Sequence, residues 1–276
     1  MKVGFWDKEI KKEFRSKVSV ISTVFSLALI WLTIPEEYKK YSGMVFSAGL
    51  IILYVFLWFR ANRMKEVKLK INNSVVHVKE GDVFREVGLK VIPFNEYFDT
   101  QVDNKIISKR TLNGMYIERF IRDVGGLNHL IKEDRDLKRK IIKGENNRRF
   151  EGNSTKYTLG SIFKNGEYLL LAFSKFDEDN RAYLSMNEYV NCLMNFWNEI
   201  DIVHNGESIV IPLLGSGITR FKDYPISEQE LLELILWTFK VSRVKFPYSE
   251  NISIVIHATK VDKINFYKLR EMGNGL

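Results

Sequence analysis

Two uncharged apolar stretches within the first sixty residues, Val18–Ile34 and Tyr41–Phe59, constrain this chain more than any other feature. A soluble core helix normally keeps one polar face, and neither stretch has one. At ~1.5 Å per residue the first covers about 25 Å, close to the ~30 Å hydrocarbon core of a bilayer. Lys17 and Pro35-Glu36-Glu37 bound it, Arg60 closes the second, and Trp31, Tyr41 and Trp58 stand near the ends, where amphipathic rings favour the headgroup zone. No small-residue cleavage site follows Ile34 and a second apolar stretch comes directly after, so the pair reads as a transmembrane hairpin and not as a signal peptide.

Charge supplies the orientation. Of the formal net charge of +8, the tail to Lys17 carries +3, the turn between the stretches none, and residues 60–70 +4, which leaves +1 for everything beyond. Basic residues collect on the cytoplasmic side of short loops, so both termini are expected in the cytoplasm. The basic excess flanks the membrane, where it can meet anionic lipid, and this argues against nucleic acid as a partner. A single cysteine, Cys192, excludes an intrachain disulfide and a multi-cysteine metal site. His77, His129, His204 and His257 lack ligand spacing, so no metal is expected.

These stretches and their basic flanks make residues 1–70 one region and 71–276 a second, globular one. Short β-branched runs alternate there with helical patterns, as in an α/β layer domain. Strands are expected near Val75–Lys79, Lys90–Phe94, Lys156–Phe163, Tyr168–Ser174, Ser208–Leu213 and Ile252–His257. Asn165-Gly166 signals a hairpin turn between the middle two. Ser185 with Glu188, and Ser227 with Glu230, form capping boxes for helices Met186–Ile200 and Glu228–Val244, and a last helix runs from about Val261 to Met272. Leu127–Phe150 carries eight basic residues against four acids, read as a solvated helix and loop or as a contact for lipid or an acidic partner.

Three strings carry candidate chemistry. In Ile209–Arg220 a buried strand runs into Leu214-Gly215-Ser216-Gly217-Ile218-Thr219, where glycines allow backbone N–H groups to cradle phosphate oxygens; a tight turn without a ligand gives the same pattern. Val76–Phe84 ends a strand in Gly81-Asp82-Val83, and Asp82 either accepts from an exocyclic amine such as adenine's or caps the next turn. Val91–Thr100 leads from a strand into a polar-aromatic loop holding Asn95. Gly215-Ser216-Gly217 has the wrong spacing for a nucleophile elbow.

In this order the strings resemble the macro domain, a three-layer α/β/α module with a mixed sheet that binds ADP-ribose and related nucleotides. Gly81-Asp82-Val83 resembles its adenine-binding element, Asn95 falls where its first loop carries an asparagine, and Gly215-Ser216-Gly217-Ile218 resembles its phosphate-binding loop. Paired with the two apolar stretches and the string Phe94–Thr100, the resemblance is closest to the macro-domain membrane effectors of type II Thoeris anti-phage systems. It implies a sensor in the bacterial inner membrane, a homo-oligomer with no cofactor. Its ligand would be an ADP-ribose-derived signalling nucleotide, a histidine–ADP-ribose conjugate, which a TIR-domain enzyme makes from NAD and which triggers membrane disruption. The glycine-rich run of hydrolytic macro domains is absent, and Gln101–Arg110 stands in its place. The alternative is a membrane-tethered ADP-ribosyl hydrolase in which Asn95 and Asp99 or Asp103 position water.

Overall fold

The computed structural model describes residues 3–72, 74–145, 151–177, 179–242, 244 and 252–273. They form two compact units, one of Met1–Val67 with Asp262–Gly275 and one of Lys68–Val261.

The first unit is built on α1 (Lys8–Trp31) and α2 (Glu36–Arg63). Asp7 caps α1 by accepting from Glu9 N at 2.9 Å. Val20, Phe25, Ile30, Val45, Ile51 and Phe56 are exposed, and the most apolar windows of the two helices, with mean hydropathy 1.3 and 2.0, are almost wholly unburied. Helix α1 stops at Trp31 and not at the expected Ile34, because a residue before proline is driven out of the helical region and Pro35 follows Ile34. At the other end of the pair Val3, Ile10, Leu57 and Ala61 pack round Tyr267 of α8 (Phe266–Gly273). Glu13 accepts from Arg60 Nη2 at 2.6 Å, Tyr267 Oη at 2.5 Å and Arg270 Nη2 at 2.9 Å.

The last helix therefore belongs with the apolar pair, whereas the sequence placed it in the globular region. Val261–Lys263 is a separate 3-10 turn before it. The expected boundary after residue 70 also falls inside a strand, β1 (Glu66–Ile71), in which Val67, Leu69 and Ile71 are buried.

The second unit is a mixed sheet between helical layers. After β1 come β2 (Ser74–Glu80), β3 (Leu89–Asn95), α3 (Leu112–Phe120), α4 (Val124–Glu133), α5 (Arg135–Lys138), β4 (Ile141–Glu145), β5 (Thr155–Tyr157), β6 (Ile162–Asn165), β7 (Tyr168–Phe176), β8 (Ala182–Leu184), α6 (Met186–Val203), β9 (Ile209–Pro212), β10 (Arg220–Phe221), α7 (Glu228–Ser242) and β11 (Ile252–Ile256). The order across the sheet is β1-β2-β11-β9-β3-β7-β8-β10, with β6 also on β7 and β4–β5 a separate ribbon. β2, β11, β9, β3 and β7 are mutually parallel, so β2, β11, β9 and β3 end on the same side.

Both faces are covered, as parallel sheets require. One face sets Ile92, Phe94, Leu170 and Ala172 against Tyr116 and Ile117 of α3 and Leu127 and Ile131 of α4. On the other, α6 buries Tyr189, Cys192, Phe196 and Trp197, and Trp197 Nε1 donates to Thr238 Oγ1 of α7 at 3.1 Å. Both capping boxes form. Burial pushes the Cys192 thiol far above its ordinary value, so it is an inert core side chain.

Two local readings change. The run Lys156–Phe163 divides into β5 and β6 around Gly160, whose φ of +93° and 2.7 Å approach of its would-be Cβ to Cys192 O admit no side chain. The hairpin after β6 centres on Gly166-Glu167, because Asn165 still pairs with Tyr168; Gly166 at φ +59° fits the first central position of a type II′ turn. In the basic segment, residues expected as helix and loop include strand β4, while 146–150 lie outside the described residues.

Candidate functional site

The loops that follow β2, β3, β9 and β11 enclose a cleft of about 380 Å³, and Asp82, Val83, Asn95, Leu214, Gly215, Ser216, Gly217, Ile218 and Thr219 all line it. This is the side of an open parallel sheet where strand ends leave a crevice.

The loop after β9 begins with a type II turn. Ser216 N donates to Leu213 O at 3.2 Å, Ser216 Oγ donates to the same carbonyl at 2.7 Å, and Gly215 takes the left-handed position at φ +88°. A Cβ on Gly215 would meet Leu231 Cδ2 at 3.0 Å and Phe221 Cζ at 3.2 Å. Tyr189 Oη anchors the turn from below by donating to Leu214 O at 3.0 Å. Gly217 has an ordinary φ and open space round its would-be Cβ, so the conformational need for glycine lies at Gly215. Among the described residues the N–H groups of Leu214, Gly215, Gly217, Ile218 and Thr219 have no acceptor. A run of free donors along the wall of a cleft is an anion-binding arrangement.

On the opposite walls, polar side chains hold the loops themselves. Asp82 Oδ1 accepts from Phe84 N at 3.0 Å, capping a short 3-10 turn, while Oδ2 lies 3.7 Å from Arg85 Nε on a half-exposed side chain. Asn95 is buried; its Oδ1 accepts from Tyr97 N and Asp99 N, and its Nδ2 donates to Asp99 Oδ2 at 2.8 Å. Asp99 Oδ1 accepts from Asn153 N at 2.7 Å. Neither Asp99 nor Asp103 lines the cleft; Asp103 Oδ1 accepts from Lys105 N and Ile106 N.

Further lining comes from Ser108, Arg110–Asn113, Phe173–Ser174, Phe176, Thr259 and Lys260, which the sequence did not single out, and from His257, which it read only as lacking metal-ligand spacing. His257 Nδ1 lies 2.9 Å from Thr259 Oγ1. Thr111 was legible as a helix cap, since its Oγ1 accepts from Gly114 N at the start of α3; nothing local marks the others. Beside the cleft Glu96 is 1% exposed, with Lys156 Nζ 3.3 Å from its Oε1. Burial raises its pKa, against the opposing pull of Lys156 and Lys175.

Residues 76–257 match the family described as Thoeris protein ThsA, macro domain. The chain belongs to the Thoeris ThsA family. A ThsA protein of Bacillus amyloliquefaciens strain Y2 is 41% identical over 275 residues, covering 98% of this chain and 92% of that protein. Among solved structures, a variant of the Oceanobacillus iheyensis macrodomain has a TM-score of 0.48 at 13% identity and covers 77% of this chain and 100% of its own. The same macrodomain described with ADP has a TM-score of 0.45 at 12% identity, covering 75% and 95%. The ThsA-family chain is thus a mixed α/β macro domain preceded by two long apolar helices.

Proposed function

We infer that this Thoeris protein is a ligand-gated membrane effector. Its macro domain takes an ADP-ribose-derived signalling nucleotide, of the histidine–ADP-ribose kind, from a TIR-domain partner. Binding then drives homo-oligomers whose paired helices, inserted in the bacterial inner membrane with both termini cytoplasmic, breach it. The observation that carries the reading is the set of unpaired amides of Leu214, Gly215, Gly217, Ile218 and Thr219, on the cleft where the parallel strands end. A diphosphate fits such donors without lysine. The ligand site is proposed as Asp82 and Val83 toward the base, Asn95 behind the loop after β3, and Leu214–Thr219 around the phosphates.

Two features favour a sensor over the hydrolase. The amide of Asn95 is tied to its own loop by three hydrogen bonds, and both acids offered as water-positioning groups stand outside the cleft lining. Incubating the purified chain with ADP-ribose and with an ADP-ribosylated peptide tests this. Saturable binding without release of ADP-ribose is expected, and turnover of the peptide would replace the sensor by the enzyme.

A further inference from the structure

Three charged side chains line the cleft, and two are already engaged. Asp82 caps its own turn beside Arg85, and Lys260 Nζ donates to Glu228 Oε1 at 2.9 Å. Arg110 differs: it is exposed, and among the described residues it meets no carboxylate. Its backbone is nevertheless held. Asn104 Oδ1 accepts from Lys109 N at 3.1 Å, Arg110 N donates to Ser108 Oγ at 3.3 Å, and Thr111 Oγ1 donates to Ser108 O at 2.6 Å. Ile106 and Ile107 are buried beneath the loop, and Gly114 lets α3 approach so closely that a Cβ there would lie 2.2 Å from Ser108 O. A fixed loop thus carries an exposed guanidinium, without an ion pair among the described residues, on the wall of the cleft.

A diphosphate brings about two negative charges, while backbone amides offer only partial ones. We propose that Arg110 supplies the full positive charge of this site and pairs with a phosphate of the bound nucleotide. The proposal rests on the nucleotide reading above and deepens it. Arginine suits the role because its planar fork can give a phosphate two parallel hydrogen bonds.

Calorimetry on the full chain in detergent tests it, with adenosine, ADP and ADP-ribose as probes, each at low and high salt. Arg110→Gln is expected to weaken ADP and ADP-ribose by about tenfold to a hundredfold, to leave adenosine and the melting temperature unchanged, and to flatten the salt dependence. Arg110→Lys should recover part of the loss. Wild-type protein that binds no ADP-ribose would overturn the nucleotide reading itself. Wild-type binding matched by Arg110→Gln at both salts would overturn the role of Arg110 alone. An equal loss of adenosine would also overturn it, by making Arg110 a prop for the loop.

Discussion

Gly215 and Gly217 sit two residues apart in one loop, yet the geometry assigns them different duties that substitution can separate. Gly215 holds a left-handed backbone against Leu231 and Phe221. Gly215→Ala should therefore cost about 1–2 kcal/mol of stability, or roughly 2–8 °C in Tm. Gly217 has neither a positive φ nor a neighbour within 4 Å of its would-be Cβ, so Gly217→Glu should change stability by less than about 0.5 kcal/mol. Its carboxylate would face the ligand. At about 6 Å and an effective dielectric constant of about 40, one charge opposes another by about 1.4 kcal/mol, and two phosphate charges double this before salt roughly halves it. Binding of ADP-ribose should fall about tenfold to a hundredfold, whereas Gly217→Gln, with the same bulk and no charge, should bind within about threefold of wild type. Calorimetry and melting curves on the same preparations give both readouts. Equal affinities for the Glu and Gln variants would refute the placement of an anion at this turn, and a destabilised Gly217→Gln would refute the conformational assignment.

Asp82→Ala should lose the cap on the 3-10 turn, about 0.5–1 kcal/mol by urea denaturation, and if Asp82 also reads the adenine amine it should weaken ADP-ribose but not its inosine analogue. Asn95→Ala removes the acceptor of the buried Tyr97 N and Asp99 N and the donor to Asp99 Oδ2 and should cost about 2–3 kcal/mol; a variant melting like wild type would show that the Asn95–Asp99 loop is not held this way. Glu96 has a folded-state pKa above its ordinary value of 4.5, so the native state keeps a proton that the unfolded chain has lost; stability should fall as pH rises through that window and stay lowered above it. Glu96→Gln should remove this slope in urea midpoints measured from pH 4 to 8, and an unchanged slope would assign it to other groups. Protease added outside intact spheroplasts should leave the macro domain uncut, and cleavage there would reject the cytoplasmic orientation.

The strands that line the cleft were legible because each is a run of β-branched residues ending in a glycine or a polar loop, as Val75–Lys79, Lys90–Phe94 and Ile252–His257 show against β2, β3 and β11. Strand β1 was hidden by its own charges: Glu66, Lys68 and Lys70 alternate with buried Val67, Leu69 and Ile71, a period of two that reads equally well as a basic flank. β8 and β10 are too short for any period to register, and their pairing depends on neighbours far away in the chain. The nine residues expected at the site do share one cleft, because they follow strands whose carboxyl ends parallel topology gathers together. Arg110 was not legible, since an arginine before a helix cap is an ordinary surface residue until the fold sets its loop on the lining of the cleft. Nor was the internal role of Asn95, which depends on Asp99 four residues on and on Phe98 adopting a φ of +49°.

The contacts of Glu13 with Tyr267 and Arg270 impose an order on synthesis. About 200 residues separate the end of α2 from Tyr267, which at roughly 5–20 residues per second is on the order of 10–40 s of translation. During that interval the two apolar helices exist with the base between Ile10 and Leu57 still open and Glu13 held by Arg60 alone. The base closes only after the whole macro domain has left the ribosome, so a message that ends early yields apolar helices without their final support. Completion of the macro domain comes before completion of the part that it is proposed to control.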